Sequence, residues 1–158
     1  MHSAHNNQTQ SPPSLLSQIK KAMSVVILDG STVRDFVEDD EAFHRAMEVH
    51  FNAMDLNHDG TLSRSELRTA FERMRLLECT LGMPNAKTPD ELNDVYDCVF
   101  EKFDADHSGT VDLAEFCMQM RAILLAIADG LGSSPLQVAI DEGGFLHDAV
   151  KHEAMMAA

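Results

Sequence analysis

Through the middle of the chain, apolar residues recur at helical spacing between two short polar interruptions. From about Asp40, Phe43, Met47, Phe51 and Met54 follow one another at steps of four, four and three, which draws one apolar stripe along a helix. The polar stretch 55–66 interrupts that stripe. Leu67, Phe71 and Met74 resume the period until GMPN at 82–85 breaks it. Thr88-Pro89-Asp90-Glu91 then supplies a cap, a proline at the first helical position and a glutamate three residues after the cap, a sequence signature of a helix start. The helix it opens carries Leu92, Tyr96, Val99 and Phe103, and it too runs into a polar stretch, 104–115. A fourth helix presents Phe116, Met120, Ile123 and Ile127 on one face and ends near Asp129-Gly130. The pattern predicts an all-α fold built on two helix–loop–helix units.

The flanks are less periodic. SVVIL at 24–28 is a β-branched run stopped by Asp29-Gly30, and Ser31 is placed to cap a helix through STVRDFVED. Ser134-Pro135 reads as another helix start, and FLHDAV, after Gly143-Gly144, as a short amphipathic piece. Residues 1–22, rich in Ser, Asn, Gln and Pro with only Lys20 and Lys21 charged, read as a disordered tail. That tail is acid-poor like a transit peptide but lacks arginine, and Met23 offers an alternative start. The expected organisation is a tail at 1–22, an N-terminal extension at 23–40, a first unit at 41–82, a linker at 83–88, a second unit at 89–130, and a C-terminal amphipathic helical extension at 131–158.

Charge narrows the partners. Against 12 basic residues stand 26 acidic ones, a formal charge of -14, which disfavours nucleic acid or an anionic membrane and favours cations and basic peptides. With 158 residues, 44% of them apolar, the chain has enough material for a core. Cys79, Cys98 and Cys117 show no metal-ligand spacing and no secretory signal precedes them, so a reduced, intracellular and cytoplasmic protein is expected. AILLAIA at 122–128 is too short to span a bilayer, and MHSAHN lacks the second-position glycine of a myristoylation signal.

The two polar interruptions carry the chemistry. DLNHDGTLSRSE at 55–66 and DADHSGTVDLAE at 104–115 align without a gap, so the unit is repeated. A hard divalent cation such as calcium takes six to eight oxygens at about 2.3 to 2.6 Å, more than a rigid helix or strand converges on one point, and a twelve-residue loop supplies them from positions 1, 3, 5, 7, 9 and 12. In the first loop these are Asp55, Asn57, Asp59, the Thr61 carbonyl, Ser63 and Glu66. In the second they are Asp104, Asp106, Ser108, the Thr110 carbonyl, Asp112 and Glu115. Position 6 needs a backbone conformation most residues avoid, and it is Gly60 or Gly109. Position 8 is Leu62 or Val111, apolar as expected if the loops pair through a short β bridge.

With these residues the chain resembles the EF-hand family of calcium-binding proteins, of the calmodulin-like superfamily, with helix, loop and helix occurring twice between about 41 and 128. The first loop meets the family pattern D-x-[DN]-x-[DN]-G-x5-E in full, and the second departs only in Ser108 at position 5, whose hydroxyl oxygen still faces the ion. SVVILDG before and ADGLG after look like the flanks of plant two-EF-hand proteins. The resemblance implies two bound calcium ions and a calcium sensor whose helices repack to regulate a partner, with a calcium buffer as the alternative. Three loop carboxylates in the first loop and four in the second, Asp112 included, suggest that the second binds more tightly.

Other features add less. His58 and His107 stand at position 4, which faces solvent, and are excluded as ligands. Met47, Met54, Met74, Met118 and Met120, among ten methionines, suit either a target-accepting groove or ordinary core. Phe145, Leu146, Ala149 and Val150 form a small apolar face that would dock in such a groove as a built-in ligand in place of an amphipathic target helix, or belong permanently to the core. No nucleophile stands beside a base at a recognisable spacing and no glycine loop cradles phosphate, so an enzyme is not expected.

Overall fold

The computed structural model describes residues 23–74 and 88–158, so the tail, the GMPN break and most of the linker lie outside the described residues. In chain order the elements are β1 (Met23–Leu28), α1 (Gly30–Glu38), α2 (Asp40–Met54), α3 (Arg64–Met74), α4 (Pro89–Phe103), α5 (Leu113–Leu131), β2 (Leu136–Asp141) and α6 (Phe145–Met156). Helices α2 and α3 flank the first polar loop and α4 and α5 the second. The fold is helical with one small antiparallel sheet, an EF-hand-like pair carrying extra helices at both ends.

The helical stripes bury as their spacing requires. Phe43, Met47, Phe51 and Met54 of α2 are all buried, as are Leu67 and Phe71 of α3 and Phe103 of α4, while the side chain of Met74 lies outside the described residues. On α5 the fully buried line is Phe116, Met120, Leu124 and Ala128, each four residues on, and the expected Ile123 and Ile127 are only half-buried beside it. Leu92, expected on the α4 stripe, is exposed, because that stripe reaches the core only lower down the helix, at Phe100 and Phe103. Aromatic rings join the two units: Phe51 lies 5.7 Å from Phe116, Phe116 lies 5.9 Å from Phe103, and Phe103 lies 5.5 Å from Phe71, centroid to centroid. Such edge and tilted pairs each add about 0.5 to 1.5 kcal/mol beyond simple burial.

Two expectations for the flanks are corrected. Helix α1 is capped by Asp29 rather than Ser31: the Asp29 carboxylate accepts from the Ser31 and Thr32 amides at 2.8 and 3.2 Å, and Thr32 closes a capping box. The start of helix α1 is set by Gly30, whose amide bonds to the Gly132 carbonyl at 2.8 Å just past the end of α5. After Ser134-Pro135 the chain forms strand β2 instead of a helix, and pairs antiparallel with β1 from Leu28↔Leu136 to Met23↔Asp141. The β-branched run Val25-Val26-Ile27 supplies the matching edge, and a partner more than a hundred residues away is invisible to a local reading. Gly143, at φ 80°, turns the chain from β2 into α6.

The flanks close the core. Helix α1 packs mainly on α5 and α6, and Leu28, Val33, Phe36, Val37, Phe145 and Ala149 are continuous with the core of the helix pair. Arg121 of α5 fastens this junction, bonding the Val37 carbonyl and Asp40 at 2.7 Å each while lying over the Phe43 ring.

Candidate metal centre

Each loop is held by its own carboxylates. Asp55, at the exit of α2, accepts from the amides of Asp59 and Gly60 at 3.2 and 2.9 Å; Asp104, at the exit of α4, accepts from Ser108 and Gly109 at 2.9 Å each. The last position closes the ring from the other side. Glu66 accepts from Leu56, Asn57 and Ser63 at 3.0, 3.2 and 2.9 Å, and Glu115 accepts from Asp106 and Asp112 at 3.2 and 2.9 Å. Two loops 49 positions apart in sequence therefore share one wiring, in which the first and last carboxylates collect the backbone N–H groups of the turn.

Those four carboxylates are also the buried ones. Asp55, Glu66, Asp104 and Glu115 retain only 4%, 7%, 3% and 8% of their exposure, whereas the carboxylates of Asp59, Asp106 and Asp112 are exposed. Buried anions need compensation, and here the amide hydrogens of the turn supply it, joined by the Ser63 hydroxyl at Glu66 and the Ser108 hydroxyl at Asp104. Burial pushes the Glu66 carboxyl up, but the bonds from Ser63, Asn57 and Leu56 outweigh it and hold Glu66 below the usual range. Asp59 is held low by the Thr61 amide and hydroxyl, and Asp106 by the Ser108 hydroxyl and amide.

In the second loop the carboxylates converge: one oxygen each from Asp104, Asp106 and Glu115 lies within 4.8 Å of the others. The first loop has the neutral Asn57 in the middle place, its carbonyl oxygen accepting from the Asp59 amide at 3.1 Å. Every donor in both sets is oxygen, the chemistry that suits a hard divalent cation. The backbone conforms as well. Gly60 and Gly109 have φ of 82° and 89°, and His58 and His107, both at 56°, occupy the left-handed region and are exposed. Leu62 and Val111, both buried, exchange backbone hydrogen bonds of 2.8 and 2.9 Å, so the loops stand back to back on an isolated β bridge.

Contacts beyond the loop spacing hold the two units in place. Arg64, the first residue of α3, reaches across to Asp97 and Glu101 of α4 at 2.7 and 2.8 Å and covers the Phe100 ring. His50 of α2 meets Asp148 of α6 at 2.6 Å, and His152 of α6 meets Asp39 at 3.0 Å. None of these pairs has a local sequence signal, since each joins separate elements.

Comparison with curated proteins and with solved structures gave no match. The family model of the EF-hand domain pair matches residues 43–121, half of the chain, from within α2 through both loops into α5. With two helix–loop–helix units bridged through Leu62 and Val111 inside that span, the chain belongs to the EF-hand family of calcium-binding proteins.

Proposed function

We propose that the chain binds two calcium ions, one per loop, and acts as an intracellular calcium sensor whose helices repack on binding to regulate a partner. The ligands are Asp55, Asn57, Asp59, the Thr61 carbonyl, Ser63 and Glu66 in the first loop, and Asp104, Asp106, Ser108, the Thr110 carbonyl, Asp112 and Glu115 in the second. The observation that carries the reading is the repeated wiring: in both loops the first and last carboxylates are buried and gather the backbone amides of the turn around an all-oxygen donor set. Because Glu66 and Glu115 lie in the first turns of α3 and α5, a shift of either toward an ion moves its helix. The free thiols of Cys98 and Cys117 accord with a reducing compartment. The two units, 41–82 and 89–130, act as one functional body through the bridge.

A calcium buffer is the second reading. It is favoured by the burial of Met47, Met54 and Met120, which places these methionines in the core and not on an open groove. A calcium titration followed by amide NMR at physiological magnesium separates the two. Shifts at Gly60 and Gly109 that spread to Phe51, Met120 and Phe145 support the sensor; shifts confined to the loops support the buffer. The second loop, with four carboxylates against three, fills first. Titration of Glu66→Gln and Glu115→Gln proteins checks the order, and a tighter site surviving in the Glu115→Gln protein reverses it.

A further inference from the structure

Helix α6 grips α2 at both of its ends. Asp39, the cap of α2, receives His152, and His50, five residues before the first loop, receives Asp148. Beside the second contact, at the start of α6, Phe145 lies with its ring 4.2 Å from that of His50 and 6.4 Å from Phe116, the residue after Glu115. Phe145, Ala149 and His152 are buried: α6 packs chiefly on α1, where the His152 ring lies 5.8 Å from that of Phe36, and reaches α2 and α5 through Phe145. One feature marks the fit: Nδ1 of His152 is buried with no hydrogen-bond partner among the described residues, a penalty that ends when the helix leaves.

We propose that α6 is a latch on the first EF-hand: docked, it restrains α2, and calcium at the first loop loosens it. This rests on the calcium reading above. A helix held at its cap and near its exit resists the rotation that ligation of Asp55 and Glu66 demands, so calcium and α6 compete for the orientation of α2. Linkage makes the effect reciprocal: whatever weakens the α6 contacts strengthens calcium binding by the same factor. Asp148 and His50 are positioning residues, acting on the loop through α2.

The test uses the full chain and calcium itself. Asp148→Ala should bind calcium at the first loop about fivefold more tightly, the low end of ordinary coupling, and His50→Gln should do the same from the other side of the pair. Amides of 145–156 should exchange with deuterium at least tenfold faster in calcium than without it. Both substitutions should lower the melting temperature more in the calcium-free form than in the loaded one, which a merely structural contact would not do. Equal affinities, unchanged exchange in α6, or equal losses of melting temperature in both forms would overturn the latch while leaving calcium binding intact. A wild-type protein that takes up no calcium would remove both the calcium reading and the latch.

Discussion

Gly109 shows how one backbone angle carries a site. At φ 89° it turns the second loop so that its amide reaches Asp104, and a Cβ built there would meet nothing within 4 Å. Gly109→Ala therefore costs only backbone strain, about 1 to 2 kcal/mol. Urea unfolding of the calcium-free protein should show that loss. Asp39 is a different case, since its carboxyl is held low by the Ala42 amide and then by His152. A carboxyl lowered in the folded state stabilises it above the unfolded value near 3.8, and that contribution disappears as pH falls through the lower folded value. Asp39→Asn should accordingly flatten the acid limb of a melting-temperature profile below about pH 4 while lowering stability at neutral pH. An unchanged acid limb would show that Asp39 is not held low. The candidate ligand positions of both loops could be proposed residue by residue because such a loop is local: spacing alone orders its oxygens.

Elements were legible wherever the signal was local. The Thr88 capping box is observed as its sequence suggests, with Thr88 accepting from Glu91 and Glu91 from Thr88. Thr88→Ala should cost about 1 kcal/mol by chemical denaturation. At α1 the sequence pointed to Ser31 as the cap, and the choice of Asp29, two residues earlier, depends on Gly30, which is pressed against the end of α5. A Cβ on Gly30 would lie 2.3 Å from the Ala128 carbonyl oxygen and 2.8 Å from that of Gly132. Both are backbone atoms, so Gly30→Ala forces α1 and α5 apart and should cost about 3 kcal/mol, as overpacking does, with a matching fall in melting temperature. Strand β2 and the seat of α6 escaped the sequence for the same reason, although the apolar face of α6 at Phe145 and Ala149 was legible. Their determinants are Leu28, Phe36, His50 and Phe116, which belong to elements distant along the chain.

For the molecule as a whole, the bridge between Leu62 and Val111 matters more than either loop alone. It ties the loops through two hydrogen bonds, so ordering one side limits the freedom of the other, and calcium should bind cooperatively. Val111→Asp, which puts a charge at a fully buried position, should abolish that cooperativity and weaken both sites in a calorimetric titration. Retained cooperativity would assign the coupling to the aromatic contacts between Phe51, Phe116 and Phe103 instead. The small sheet acts on a longer range. Because β1 and β2 run antiparallel with Met23 opposite Asp141, tension applied between those two residues opens the ladder one pair at a time, like a zip, instead of shearing it all at once. Under load the flanks would therefore part at low force, and the two hands, wired through their own short loops, would still be folded when the sheet is gone.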